Sequence, residues 1–334
     1  MFRSLLVAAL LAAVATPALA DEVNVYTSRQ PELIQSIFDA FTAESGTKVN
    51  VLYAKKGLIE RMKAEGDRSP ADLYVTADIG SVKAASDAGL TQPHRSAVVD
   101  EVVPAELRDS GGHWFALTTR ARVVYASKER VAPGEVTTFE DLADPKWKGR
   151  ICIRPGAHSY NLALIAAAIA HRGPDAARAW VSGLKANLAR TPQGNDRAQV
   201  KAVWAGECDV AIGNTYYMGK MLENEDQRAW AESVNIVFPV FEGGGAHANI
   251  SGAAVTKSSP NHDAAMKLVA YMLSPEAQKL YAELNYEYPV RAGVATSALV
   301  ASWGSFEPAT IALTEIGDLR AEALKIVEKT GFDN

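Results

Sequence analysis

The chain has 334 residues and a formal net charge of −5, with 34 Lys and Arg against 39 Asp and Glu. This mild acidity, without a basic tract, excludes nucleic acid and anionic lipid surfaces as expected partners, because both are bound through clustered Lys and Arg. An apolar content of 48% and a length above what one hydrophobic core usually supports predict a globular protein with two lobes.

The first twenty residues have the pattern of a secretory signal peptide. Arg3 precedes an apolar run over residues 5–15, and the small residues Ala18 and Ala20 occupy the cleavage positions. This run is too short to span a bilayer as a helix. We therefore expect residues 1–20 to be removed, the mature chain to begin near Asp21, and the protein to reach the periplasm.

Strand and helix patterns alternate over the first part of the mature chain. Helical periodicity begins at Pro31 and recurs at 58–65 and 81–88, and each helical segment follows or precedes a short apolar run. The predicted strands cover residues 23–26, 49–53 and 72–75. Such alternation is typical of an α/β fold with a parallel-rich sheet flanked by helices.

The order changes near residue 118. Residues 118–125 predict a long strand that crosses from one lobe to the other. The triple glycine at 243–245 predicts a flexible segment through which the chain returns to the first lobe. Between them we predict strands at 150–154, 208–212 and 234–239 and helices at 161–171, 174–189 and 196–205. After the return we predict a strand at 249–255, a helix at 263–272 and a helix that starts with Ser274 as cap and Pro275 in its first turn.

Two crossings make each predicted lobe discontinuous in sequence. We assign residues 21–118 and 245–292 to the N-terminal lobe, and residues 119–244 and 293–334 to the C-terminal lobe. A ligand cleft is expected between the lobes, since binding sites commonly lie at domain interfaces.

The chain has two cysteines, Cys152 and Cys208, and each adjoins a strand-like run. An even count in an oxidising compartment favours a disulfide between them, and the alternative is two free buried thiols. A metal site made from these cysteines is disfavoured, because no histidine lies at ligand spacing beside them.

An adjacent pair, Tyr216 and Tyr217, follows the predicted strand at 208–212. Neighbouring side chains point to opposite faces of a strand, but on a helix they lie about 100° apart. Asn214 and Thr215 are suitable helix N-cap residues, so we predict a helix that begins here and lets both phenols converge. The hypothesis is a cluster of anionic oxygens for a hard trivalent metal, with a third tyrosine from upstream.

The mature chain resembles the bacterial periplasmic ferric-ion-binding proteins, the iron-transport members of the type II solute-binding fold. The paired tyrosine is the most diagnostic motif, and the others identify the fold. The matching segments are VYTSRQ (25–30), PADLYVTAD (70–78), RARV (120–123), DPKWKG (144–149), GNTYY (213–217) and EYPV (287–290). The resemblance implies two lobes, each a mixed and mostly parallel sheet flanked by helices, with the ligand cleft between them.

The resemblance also implies a ligand set. In that family the paired tyrosines bind ferric iron as phenolates, and several branches add a third tyrosine, whose position is matched here by Tyr160. Fe3+ prefers anionic oxygen and deprotonates phenols whose free pKa is about 10. Tyr160, Tyr216 and Tyr217 are therefore the predicted metal ligands, and Fe3+ the predicted ion.

Other members of the family complete the metal shell from the opposite lobe, with a histidine or a glutamate. This chain has Gln30 and Ala77 at those positions, so we predict that a small anion completes the shell. Arg29 and Arg120 are the matching residues to hold it, with Gln30 as a further donor. Carbonate or bicarbonate is the first choice, and phosphate and citrate are alternatives.

The resemblance further implies a monomer that delivers its cargo to an ABC transporter permease and its ATPase. His158 is expected to be a solvated loop residue, and Asp78 and Asn249 are candidates to line the cleft. Two other functions stay open. An enzyme is disfavoured because the sequence lacks Gly-x-Ser-x-Gly, His-Glu-x-x-His and phosphate-cradling glycine motifs. The other alternative is a binding protein of the same fold for a polyamine, thiamine or a phosphonate.

Overall fold

The computed structural model describes residues 21–94 and 96–334. The predicted signal peptide lies outside these residues. The strands are β1 (Glu22–Thr27), β2 (Lys48–Tyr53), β3 (Leu73–Thr76), β4 (Phe115–Ser127), β5 (Ile151–Cys152), β6 (Val210–Asn214), β7 (Val234–Val237), β8 (Ala248–Val255) and β9 (Tyr288–Pro289). None of the helices in this part of the chain has the length and apolar character needed to cross a membrane.

The helices follow the predicted alternation. Those before β8 are α1 (Gln35–Ser45), α2 (Leu58–Glu65), α3 (Ile79–Asp87), α4 (Ala97–Val102), α5 (Ser159–Arg172), α6 (Pro174–Ala186), α7 (Asp196–Trp204), α8 (Tyr216–Glu223) and α9 (Glu225–Glu232). Those after it are α10 (His262–Met272), α11 (Pro275–Asn285), α12 (Ala298–Ser302), α13 (Leu313–Asp318) and α14 (Arg320–Thr330).

The described strands form one mixed sheet in the order β2-β1-β3-β8-β4-β6-β5, with β7 and β9 also paired to β4. The parallel pairings are β1 with β2, β1 with β3, and β5 with β6. The pairings of β4 and β8 are antiparallel, so antiparallel pairings outnumber parallel ones by five to three within the described residues. The mixed sheet is as predicted, but it is not mostly parallel, because every pairing that β4 or β8 makes is antiparallel.

The crossing strand predicted at 118–125 is confirmed as part of β4. Its first half pairs with β8, from Phe115 opposite Ala253 to Ala121 opposite Ala248. Its second half pairs with β6 and β7. Strand β4 thus belongs to both halves of the sheet, whereas the residue bounds that we assigned to the two lobes stay a prediction.

Two predicted helices differ from the structure by three residues or more at one end. The segment from Pro31 forms one 3-10 turn, and α1 starts only at Gln35, because buried Ile34 has a non-helical φ of −138°. Helix α6 stops at Ala186 and does not reach residue 189. There the side-chain amide of Asn187 donates to the carbonyl oxygens of Leu142 and Asp144, at 2.9 and 2.7 Å, which redirects the chain.

The predicted disulfide between Cys152 and Cys208 is confirmed, with the Cα atoms 5.9 Å apart. Cys152 ends β5, and Cys208 lies just before β6, the strand that leads to the tyrosine pair. The bond therefore cross-links the two parallel strands beneath the candidate site, and no free cysteine is left.

A candidate metal site formed by three tyrosines

The three predicted tyrosines lie together on one side of a cleft. The hydroxyl oxygens of Tyr160 and Tyr216 are 3.1 Å apart, and the rings of Tyr216 and Tyr217 lie with centres 4.3 Å apart. The side chains are 9%, 1% and 3% exposed. We call Tyr160, Tyr216 and Tyr217 the tyrosine wall.

Local sequence explains why these phenols converge. Strand β6 ends at Asn214, Thr215 is the N-cap, and Tyr216 and Tyr217 are the first two residues of α8, as predicted. Tyr160 is the second residue of α5, where the Nδ1 atom of His158 accepts a hydrogen bond from the Tyr160 N–H at 3.2 Å. Two helix N-termini therefore meet at the wall, and their dipoles favour negative charge on the phenol oxygens.

Burial favours the neutral form of all three phenols. Burial raises the pKa of Tyr216 and Tyr217, and the neighbouring phenols add to this increase. Burial likewise raises the pKa of Tyr160 well above its usual value, followed by the effect of Tyr216. A ligand that binds here as a phenolate complex must therefore displace protons.

Arginine side chains stand over the faces of all three rings. The distances from guanidinium carbon to ring centre are 5.7 Å for Arg120 over Tyr216, 5.2 Å for Arg197 over Tyr217, and 5.7 and 5.0 Å for Arg122 and Arg154 over Tyr160. Positive charge at these distances favours the ionised over the neutral phenol. Burial thus favours the protonated phenols, whereas the arginines favour the phenolates that would bind a cation.

Buried Asp196 organises this arginine layer. Its carboxylate accepts hydrogen bonds from Arg122 at 2.9 Å, from Arg154 at 3.0 Å and from the backbone N–H of Asn214 at 2.9 Å. Burial alone would raise the pKa of this carboxyl, but the two guanidinium groups hold the pKa below its usual value. Asp196 also begins α7, directly before Arg197. The start of this helix therefore supplies both the buried carboxylate and the guanidinium that lies over Tyr217.

The residues predicted to hold an anion are placed differently from one another. Arg29 and Gln30 line the cleft, and the Oε1 atom of Gln30 is buried without a hydrogen-bond partner among the described residues. Arg29 donates to buried Glu287 at 2.6 Å, and Arg120 donates to the same carboxylate at 2.9 Å. Arg120 lies behind Tyr216 and not among the residues that line the cleft. The anion contacts stay a prediction.

Glu287 was not recognised as part of the site from sequence, although it belongs to a motif that carried the resemblance. It is fully buried and also accepts a hydrogen bond from the hydroxyl of Thr118 at 3.0 Å. A buried carboxylate is stable only when paired and hydrogen-bonded. Glu287 meets that condition and fixes Arg29 and Arg120 in one orientation each.

The cleft in front of the tyrosine wall has a volume of about 630 Å³. Its opposite side includes residues 54–57, between β2 and α2, which we call the lysine loop because it contains Lys55 and Lys56. The carboxyl-terminal part of the chain also reaches the cleft, where Arg320 donates to Asp78 at 3.2 Å.

The prediction for His158 is wrong. The side chain is half-buried at the start of α5, and its ring packs edge-on against Tyr160 with centres 4.7 Å apart. Burial, followed by the charge of Arg154, lowers the pKa of His158 to about 3, so the imidazole is neutral. Asp78 lines the cleft as predicted, whereas Asn249 accepts a hydrogen bond from the Ile79 N–H at 3.0 Å and does not line it.

Arg154, Asp196 and Arg197 were not predicted as site residues. The one sequence signal for Arg154 is its position in the loop before Tyr160, and that for Asp196 and Arg197 is the helix start after Asn195. Over residues 21–94 and 96–334, no group of three or more His, Cys, Asp or Glu is placed to hold a metal ion. The cleft instead brings together three phenol oxygens, which are hard donors when ionised.

Comparison with known proteins identifies the family of the chain. Residues 68–303 match the family of bacterial extracellular solute-binding proteins. The chain is 44% identical to iron uptake protein A1 of Synechocystis, over 95% of this chain and 89% of that protein. The predicted resemblance is confirmed.

Solved structures of similar proteins share the two-lobed type II binding-protein fold. Apo ferric ion-binding protein A of Pasteurella haemolytica superposes with a TM-score of 0.91 at 49% identity, covering 94% of this chain and 99% of that one. A Trichodesmium protein in complex with iron and citrate gives a TM-score of 0.87 at 42% identity, covering 93% and 99%. The chain is similar to these iron-binding proteins. It therefore belongs to the family of bacterial extracellular solute-binding proteins.

Proposed function

We propose that this protein is a periplasmic carrier of Fe3+. In this proposal Tyr160, Tyr216 and Tyr217 bind the ion as phenolates, an anion completes its coordination, and the monomeric protein delivers the ion to an ABC permease and its ATPase. The protein is a carrier and not an enzyme. The similarity to an iron uptake protein and to ferric ion-binding structures supports the choice of metal.

One observation carries the proposal: three phenol groups converge on one wall of a cleft, with the oxygens of Tyr160 and Tyr216 3.1 Å apart. Three phenolates neutralise a trivalent cation, and hard anionic oxygen is the donor that Fe3+ prefers. The arginine layer behind the rings supports their ionised form. Ligand exchange then consists of replacing three phenol protons by one metal ion.

The direct test is addition of Fe3+ to the iron-free protein. A ferric phenolate complex gives an intense visible charge-transfer band, whereas a neutral phenol does not. We expect the band at one Fe3+ per protein, and we expect it to weaken strongly in Tyr216→Phe and Tyr217→Phe. A colourless protein, or a band that survives both substitutions, would exclude the tyrosine wall as the metal site.

Carbonate or bicarbonate is our proposed partner anion. It is planar and can bind a metal through two oxygens. Arg29 and Gln30, which are far from the tyrosine pair in sequence, line the same cleft. Citrate, which is present with iron in the Trichodesmium structure, and phosphate are the alternatives. Undiminished iron affinity in carbonate-depleted buffer would remove carbonate from the proposal.

A binding protein for an organic solute is the competing function. The arginine layer disfavours a polyamine or thiamine, because these ligands are cations. The same positive charge is compatible with a phosphonate, so this anion is the organic ligand to test. Thermal unfolding with a phosphonate in the absence of metal distinguishes the two functions: a rise in Tm would support a phosphonate carrier, and an unchanged Tm is the result that we expect.

A further inference from the structure

The cleft is larger than a ferric ion with carbonate requires. Its volume of about 630 Å³ lies within the range of about 300–1,000 Å³ that is usual for pockets that bind organic ligands. Carbonate has four heavy atoms and fills a small part of this space. The cleft therefore has room for a chelating molecule beside the metal, between the tyrosine wall and the lysine loop.

The charged residues that line the cleft are mainly basic, in a chain whose net charge is −5. The acidic residues are Glu60 and Asp78, and the basic residues are Arg29, Lys55, Lys56, Arg154 and Arg320. Since three phenolates cancel the charge of one Fe3+, this surplus of positive charge persists after the metal has bound. The cleft thus favours an anion that carries several negative charges.

Lys55 and Lys56 differ from the other basic residues of the cleft. The arginines are paired, Arg29 with Glu287, Arg154 with Asp196 and Arg320 with Asp78. Lys55 and Lys56 are exposed and make no ion pair or hydrogen bond with another described residue. Their charges are therefore available to a ligand, and their long flexible side chains can follow its shape.

The backbone beside the lysines also favours the binding of an anion. Helix α2 begins directly after the lysine loop, and its N-cap Gly57 provides no side chain to satisfy the first N–H groups. Leu58 and Ile59, in the first turn of this helix, line the cleft. The positive end of the helix dipole thus stands beside Lys55 and Lys56, opposite the tyrosine wall.

We propose that Lys55 and Lys56 form an anion subsite for the outer carboxylates of a polycarboxylate that is bound to the same ferric ion. The inference rests on the proposed Fe3+ site, and it assigns to that site a polycarboxylate such as citrate in place of carbonate. The tyrosine wall holds the metal, and the lysine loop selects the chelator by its additional negative charges.

The test compares the binding of citrate and of carbonate to the iron-loaded protein. Each anion is titrated while the shift of the charge-transfer band is followed, and native mass measurement checks for one protein, one iron and one citrate. In Lys55→Gln/Lys56→Gln we expect the Kd for citrate to rise about tenfold and that for carbonate to change less than about twofold, because only citrate has charges to place at the lysines.

The matched control is Lys48→Gln/Lys63→Gln. It removes the same charge from exposed positions on β2 and α2, the elements that flank the lysine loop, but outside the cleft. We expect this variant to bind both anions as the wild type does. An increase in the Kd for citrate as large as in the cleft variant would show that any loss of positive charge near the loop weakens citrate binding. That result would overturn the subsite.

The remaining outcomes separate this inference from the proposed function. Equal citrate affinity in the wild type and the cleft variant overturns the subsite alone, and so does removal of the iron by citrate without a ternary complex. Failure of the wild type to form a charge-transfer band with Fe3+ overturns the proposed function and the subsite with it.

Discussion

The two sides of the cleft are built in opposite ways. The tyrosine wall is at most 9% exposed, and arginines cover its rings; those over Tyr160 and Tyr216 are anchored by Asp196 and Glu287. The lysine loop is exposed and makes no ion pair with another described residue. A trivalent ion needs donors fixed before it arrives, because each misplaced donor costs affinity, whereas flexible cations tolerate anions of different shape. We expect the wall to set metal affinity and the loop to set the choice of anion.

The largest expected effect is that of pH on the tyrosine wall. Burial raises the pKa of Tyr160, Tyr216 and Tyr217, so each phenol is protonated in the iron-free protein near neutral pH. Iron must displace these protons, and its affinity therefore falls as the pH falls, by up to about a thousandfold per pH unit if all three are released. Iron competition titrations between about pH 6 and pH 7, with the protons released per iron counted by pH-stat, measure this slope.

The lysine loop provides the contrast for that measurement, because it supplies no ligand to the metal in the proposed site. A release of less than one proton per iron would show that the wall does not bind the metal as phenolates.

Removal of one phenol is the next largest effect. In Tyr160→Phe we expect iron affinity to fall more than about a hundredfold, because even groups behind a metal ligand are worth about 10–100-fold. Tyr53→Phe is the matched control, since Tyr53 lines the same cleft at the end of β2. Equal losses in the two variants would show that the two sides of the cleft do not differ as we describe.

Asp196→Asn tests the layer behind the wall. We expect iron affinity to fall about 10–100-fold, as for other groups that orient a metal ligand. The free energy of unfolding should fall by about 3 kcal/mol, because Arg122 and Arg154 lose a buried partner. Denaturant unfolding of the iron-free protein and iron titration of the folded fraction measure these effects separately. Loss of stability with unchanged iron affinity would make Asp196 a purely structural residue.

The smallest expected effect concerns the contact between Asp78 and Arg320. Arg320 is 33% exposed, and such ion pairs contribute about 0–1 kcal/mol. In Arg320→Gln we expect iron affinity to fall less than about threefold. Arg178→Gln is the control, because Arg178 pairs with Asp175 on the surface of α6. A loss above tenfold in the Arg320 variant alone would place this side chain in contact with the ligand.

Local features of the protein were determined by the sequence itself. Ser274 caps α11 as predicted, with its hydroxyl accepting from the Ala277 N–H at 3.2 Å. The Tyr216 and Tyr217 pair begins α8 as predicted, directly after Thr215 at the N-cap position, where the Thr215 side chain makes no capping hydrogen bond. These features depend on residues a few positions apart, and the disulfide was predictable because two cysteines allow one pairing. The resemblance added Tyr160, whose position next to Tyr216 no local pattern fixes.

The tertiary structure alone decided which charges surround the site. Glu287 binds Arg29 across 258 residues of chain, and Asp196 binds Arg122 across 74. The sequence contains 39 acidic and 34 basic residues, and nothing in their spacing shows which of them become buried together. Packing makes that choice, because a carboxylate that is withdrawn from water is stable only beside a guanidinium or equivalent donors.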